Sequence, residues 1–219
     1  VTEPARAART AAAQTARARG SERLAAAIVL ALGLPLVFMY ARAMADGEVR
    51  RREAPLRAML GDDSYERLAR GEKTEEHYLG DGLLAPDFEL RDKDGKPWRL
   101  SDQRGKVVVM NFWTITCQPC VEELPSFLEL ADLAHGHDDI EVVAISTDKD
   151  WHEVAALFPP HFRLKVLFDP ERKIVRDKYG TKLYPETWII DPRGVVRMRF
   201  DGARNWSDAL TLDVAKTFL

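Results

Sequence analysis

The chain has 219 residues, enough for one ordinary domain with appendages or for two small ones. A formal net charge of -3 and a pI near 6.0 provide no overall attraction to nucleic acid, and an apolar content of 46% suffices for one packed core. Only two cysteines occur, at i and i+3, which excludes a disulfide-stapled scaffold and leaves redox, metal-binding or catalytic chemistry for them.

In chain order, residues 1–23 are rich in Ala and Arg without apolar periodicity and are expected to form a disordered basic tail. Residues 24–41, LAAAIVLALGLPLVFMYA, carry no charge. As a helix they would cover ~27 Å, close to the hydrocarbon thickness of a bilayer. Pro35 is tolerated in a membrane span, and Tyr40 lies where an interfacial aromatic belongs. A transmembrane anchor is therefore predicted, with a signal peptide cleaved after Ala43-Met44-Ala45 as the alternative. Arginines flank the stretch on both sides (Arg6, Arg9, Arg17, Arg19 and Arg23 before it, Arg42, Arg50, Arg51, Arg52 and Arg57 after it), so charge alone does not orient it. Residues 42–84 are charge-dense and read as a spacer with two short helices, one from near Pro55 and one from near Ser64 that Gly71 would stop.

From residue 85 the pattern becomes that of a compact α/β domain. PDFELRD and PWRLSD flank an Asp94-Gly95 turn and predict a hairpin. VVVMNFW, residues 107–113, is a continuous apolar run of the kind expected for a strand buried on both faces. After the cysteines, residues 122–133 have helical spacing, with Leu124, Phe127, Leu128 and Ala131 as the apolar stripe and Pro125 as an expected kink. EVVAIST is a second buried strand, residues 151–158 a helix, KVLFD a short strand, and residues 172–179 a helix ended by Gly180. TWIID and VVRMRF, joined at Pro192-Arg193-Gly194, form a second hairpin, and a last helix starts near Ser207. The alternation predicts an α/β fold with a mixed central sheet and helices on both faces, a thioredoxin-type arrangement.

The chemistry centres on WTITCQPC, between a buried strand and a helix. Cys117 would sit at the helix N-terminus, where unpaired N–H groups and the helix dipole stabilise a thiolate, the reactive form of cysteine. Cys120, one turn deeper on the same face, can attack the mixed disulfide that Cys117 makes with a partner. A C-x-x-C pair is also half of a zinc site, but there is no second cysteine pair, and the five histidines, His77, His135, His137, His152 and His161, are scattered. No cofactor is expected.

On these residues the chain resembles the thioredoxin superfamily and, within it, the TlpA/ResA-like membrane-anchored thioredoxins. The likeness covers residues 85–219 and rests on APDFELRDKDGKPWRLSDQRGKVVVMNFW, CQPCVEELP and YPETWIIDPRG. It implies that Cys117 is the exposed nucleophile, Cys120 the resolving thiol, Pro185 a cis-proline facing the pair, and Glu123 an active-site carboxylate. Trp113, Gln118, Pro119, Tyr184 and Glu186 are the supporting positions. The alternative for Glu123 is an exposed helix glutamate. Asn111 stands where thioredoxins proper carry a buried aspartate, Thr116 replaces an aromatic, and Tyr184 and Glu186 flank Pro185 where many relatives have small residues and Thr.

The resemblance implies a thiol-disulfide reductase of extracytoplasmic proteins, tethered on the periplasmic side of a membrane or secreted after signal cleavage. A membrane thiol relay of DsbD/CcdA type would recharge it, and apocytochrome c or copper-site cysteines are possible clients. One alternative is a thiol peroxidase, since APDF also occurs in peroxiredoxins, although their motif would need Pro where Met110 stands. The other is a redox-silent or copper-carrying membrane-tethered domain.

Overall fold

The computed structural model describes residues 3–70, 77–79 and 83–219, with side chains from residue 30 onward except residue 68 and residues 77–79. One compact unit ends at Arg52 and the other is Glu53–Leu219.

The first unit is the body of α1 (Glu3–Leu60), which is helical from its third residue rather than disordered before residue 24. The composition of that segment favours a helix, because Ala and Arg are among the strongest helix formers. The predicted span lies inside α1, and the side chains of residues 24–29 are outside the described ones. Among the described residues no helix is long and apolar enough to cross a membrane. Leu30, Leu32, Leu34, Leu36, Val37, Phe38, Met39 and Tyr40 are all exposed on it.

The second unit begins well before residue 85. Gly61, at φ +78°, breaks α1 from α2 (Asp62–Ala69). Leu56, Leu60 and Tyr65 then insert into the main apolar cluster, and Arg57 lies over the Tyr65 ring at 4.3 Å. What reads in the sequence as a charged spacer thus carries one apolar stripe that the core requires. Gly71, the expected helix stop, is outside the described residues.

The strands are β1 (His77–Leu79), β2 (Glu89–Asp92), β3 (Pro97–Arg99), β4 (Val107–Trp113), β5 (Ile140–Ser146), β6 (Lys165–Phe168), β7 (Glu186–Ile190) and β8 (Val196–Asp201). They form one mixed sheet in the order β1-β8-β7-β4-β5-β6-β2-β3. β4 is buried at every residue, parallel to β5 and antiparallel to β7, which is why it reads as an unbroken apolar run. The two expected hairpins are present, β2–β3 around Gly95 and β7–β8 around Gly194. Gly194 adopts φ +83°, and Asp191 holds that turn by accepting from the N–H groups of Arg193 and Val195.

Besides the end of α1 and α2, the α-helices of this unit are α3 (Gln118–Ala134), a single turn α4 (Trp151–Val154) and α5 (Ala209–Lys216). α3 runs through Pro125 and buries Cys120, Glu123, Leu124, Phe127, Leu130, Ala131 and Ala134. The helix expected over 172–179 is a π-type turn, Lys173–Lys178, because the Asp169 carboxylate takes the N–H groups of Ile174 and Val175 and draws the chain into a wider first turn. Two apolar clusters lie on the two faces of the sheet. One gathers Val107, Val109 and Trp113 with α3, and the other gathers Val108, Met110 and Phe112 with Tyr179.

Because Leu56 is only 6% exposed and its partners lie in the main cluster, Leu56→Ala in the full chain should cost about 2 to 3 kcal/mol. A lowered urea midpoint with an unchanged m-value would register it. A midpoint equal to wild type would show that this stretch is a spacer after all.

Candidate active site

The strand-to-helix junction places the cysteines. β4 ends at Trp113, whose ring is buried and meets Phe158 edge-on at 6.0 Å. The next residues are tied to Asp148, just beyond β5. Its carboxylate accepts from Thr114 Oγ1 at 2.7 Å, from Ser146 Oγ at 2.7 Å and from the Ile115 N–H at 2.9 Å. The Cys117 N–H donates to the Thr114 carbonyl at 3.1 Å. Thr116, left exposed, approaches Thr114 through the two hydroxyl oxygens at 3.4 Å.

Cys117 is the N-cap of α3, and its Sγ accepts the Cys120 N–H at 3.2 Å. The two cysteines form a disulfide, with Cα atoms 5.3 Å apart. Cys117 is half-buried and Cys120 is 2% exposed, so a partner can reach the first sulfur and not the second. Pro119 occupies the first turn, where a missing N–H costs nothing, and Gln118 is exposed and donates to Glu122 at 2.9 Å.

Tyr184-Pro185 is a cis peptide bond, as the resemblance implies. Phe112 pairs with Glu186, which sets Pro185 level with Trp113 at the end of the sheet that carries the cysteines. Tyr184 and Cys117 both pack against the main cluster, while Leu183 is 82% exposed.

Glu123 is not an exposed helix glutamate; it is 5% exposed. Its Oε1 accepts from Asn111 Nδ2 at 2.8 Å, and its Oε2 accepts from Trp206 Nε1 at 3.0 Å and from the Arg204 N–H at 3.1 Å. Burial raises its pKa above the ordinary carboxylate value of 4.5, and these three donors work against that rise. Glu186 is equally buried and also raised by burial, with Thr181, Arg199 and Trp188 opposing. It accepts from Thr181 Oγ1 at 2.7 Å and Trp188 Nε1 at 2.6 Å, and its register partner Phe112 belongs to the second cluster. Glu186 therefore serves the opposite face of the sheet from Glu123.

Sequence reasoning did not find Asp148, Trp206 or the Arg204 backbone. The available signals were an Asp just after a buried strand and a tryptophan in a polar stretch. Among the described residues no group of three His, Cys, Asp or Glu side chains is gathered as a metal site would be.

The sequence pattern of the AhpC/TSA family matches residues 82–199, more than half of the chain. The chain belongs to this family. It is 32% identical to the thiol-disulfide oxidoreductase ResA of Geobacillus thermodenitrificans over 137 residues, 62% of this chain and 77% of that protein. It is 30% identical to ResA of Bacillus subtilis over 63% of this chain and 74% of that one. A solved structure of a putative thiol:disulfide interchange protein DsbE from Chlorobium tepidum aligns with TM-score 0.53 at 30% identity, covering 64% of this chain and 98% of that one. The exposed lipoprotein thioredoxin Etrx1 of Streptococcus pneumoniae aligns with TM-score 0.52 at 31% identity, over 60% and 98%. The chain is thus a ResA/TlpA-like member of the thioredoxin superfamily, and its activity is thiol-disulfide exchange through Cys117 and Cys120. Met110, fully buried in β4, occupies the place where the peroxidase motif needs proline.

The difference in exposure makes Cys117 the first thiol alkylated in the reduced chain, and peptide mapping that finds Cys120 labelled faster would reverse the two roles. Ionised Glu123 opposes a second negative charge on the thiols, so Glu123→Gln should move the pH profile of Cys117 alkylation toward lower pH and slow resolution of a preformed mixed disulfide. Glu186→Gln, across the sheet, should leave both nearly unchanged. The raised pKa also has a consequence for stability. The folded chain binds the Glu123 proton more tightly than the unfolded one, so stability falls as pH rises from 4.5 to the raised folded value and is level above it. Chemical denaturation across that window should show a smaller fall in Glu123→Gln than in wild type.

Proposed function

We propose that the protein is a membrane-tethered reductase of protein disulfides, with residues 24–41 as its anchor and the C-terminal unit outside the cytoplasm. The observation that carries the catalytic half is the pairing of a half-buried Cys117 at the cap of α3 with a buried Cys120 beneath it. In the reduced state the Cys117 thiolate attacks a client disulfide, forming a mixed disulfide and releasing one client thiol. Cys120 then attacks Cys117 Sγ, releasing the second client thiol and leaving the Cys117–Cys120 disulfide. The client gains two electrons and the pair loses two, so each cycle needs an outside dithiol.

A membrane thiol reductant of DsbD/CcdA type would supply that dithiol, and cytochrome c haem-attachment or copper-site cysteines are fitting clients. The reducing direction is supported by Glu123, whose buried carboxylate disfavours the thiolate form and so favours handing electrons on. The tether is supported by the uncharged 24–41 sequence and by the exposed apolar side chains from Leu30 to Tyr40. The placement outside the cytoplasm is supported by the likeness to the exposed lipoprotein thioredoxin.

In cells making full-length Cys120→Ser, disulfide-linked adducts through Cys117 should collect in the membrane fraction with extracytoplasmic proteins, and a further Cys117→Ser change should abolish them. Adducts with cytoplasmic proteins alone, or recovery of a soluble species cut after Ala45, would overturn the tethered topology.

A further inference from the structure

Glu123 is held by donors only, and they are divided unevenly. Oε2 takes two, the Arg204 N–H and the Trp206 ring N–H, while Oε1 takes one, from Asn111. This set suits an ionised carboxylate. A protonated one carries an O–H that needs an acceptor, and neither a backbone N–H nor an indole N–H can accept. The proton therefore belongs on Oε1, the oxygen with a single donor, and there it meets Asn111.

Asn111 can accommodate it, because an amide carries an acceptor as well as donors, and a half-turn of its terminal group exchanges Oδ1 for Nδ2. Its other partner permits that turn. Nδ2 also donates to Thr187 Oγ1 at 2.9 Å, and a hydroxyl can accept or donate. We propose that Asn111 is a positioning residue with two amide orientations, donating through Nδ2 to ionised Glu123 and accepting through Oδ1 from protonated Glu123. Thr187 accepts from the amide in the first state and donates to it in the second. Glu123 then keeps a full set of hydrogen bonds on both sides of its titration. Without the turn, one state would leave a buried polar group unpaired.

This inference rests on the reading of Glu123 as the carboxylate coupled to the thiols. The other charge acting on it is Arg204, which favours the ionised form; Glu122 and Glu129, on its own helix, are exposed and line the same cleft. The Cys117 and Cys120 thiolates of the reduced chain disfavour the ionised form. From β4 and β7 it meets only neutral groups, Asn111 and, through it, Thr187.

The sequence makes the test direct, since Asn111 and Asn205 are the only asparagines. In the reduced full-length chain carrying ¹⁵N in its asparagine side chains, the Asn111 NH₂ signal should move between two positions as pH passes through the Glu123 titration. In Glu123→Gln, whose amide nitrogen presents a donor as the protonated acid does, that signal should rest at the low-pH position throughout. Thr187→Val should displace the midpoint and Thr187→Ser restore it. Asn111→Leu removes a charge-assisted donor from ionised Glu123 and should move the Cys117 alkylation profile in the same direction as Glu123→Gln, toward lower pH. An Asn111 signal fixed across the range, with alkylation still sensitive to Glu123→Gln, refutes the amide device and leaves the Glu123 reading intact. A signal that moves while alkylation ignores Glu123→Gln supports the device and refutes its link to the thiols.

Discussion

A carboxylate withdrawn from water has to be bonded on every side, and Glu123 imposes that requirement on most of the molecule. Its partners come from β4 through Asn111 and from the stretch before α5 through Arg204 and Trp206, and Asn111 is itself braced on β7 by Thr187. Three segments, β4, β7 and the stretch before α5, are thereby fixed against α3. Apolar packing then follows the same lines. Trp206 meets Phe127 of α3 at 6.0 Å and Phe200 of β8 at 5.6 Å, both edge-on. Removing the carboxylate would strand three donors, whereas removing one donor leaves the carboxylate two.

A second buried carboxylate, Asp148, does for the loop before Cys117 what Glu123 does for the helix after it. Three donors from Thr114, Ile115 and Ser146 hold that loop against the end of β5, so the sulfur is presented from a stiff bend. The sheet supplies the frame. Its central strands bury both faces, and its two edges are extended by short antiparallel strands, β1 on β8 and β2–β3 on β6, which leave no long apolar edge among the described strands.

How much of this was legible depended on whether the signal was local. β4 could be read to the residue, because burial on both faces leaves an uninterrupted run, and the two hairpins followed from Gly95 and Gly194 at turns that need positive φ. Cys117 and Cys120 were legible for the same reason. Glu123 was legible in position but not in burial, since its desolvation is permitted by Asn111, Arg204 and Trp206, twelve, 81 and 83 residues away. Leu56, Leu60 and Tyr65 were hidden by the charged residues around them, although Leu56 and Leu60 stand at i, i+4 at the end of α1 and α2 is strongly amphipathic. The π-type turn at 173–178 escaped because it depends on one carboxylate, Asp169, reaching two successive N–H groups.

Two electrostatic influences meet at Cys117, and their sizes decide how the pair behaves. The cap of α3 stabilises a thiolate by roughly 0.3 to 1 kcal/mol, rising to about 2 in partly buried geometry. Glu123 lies six residues on, about 9 Å along the helix axis. At an effective dielectric of about 20, two unit charges at that separation repel by about 2 kcal/mol. Neither term dominates. The reduced site therefore carries one negative charge easily and two with difficulty, so a thiolate at Cys117 and an ionised Glu123 tend to exclude each other. If Glu123 takes up the proton that a thiol releases on becoming nucleophilic, Cys120, one turn before it on α3, is the nearer source, and the proposed turn of Asn111 would let its surroundings bond the carboxyl in either state.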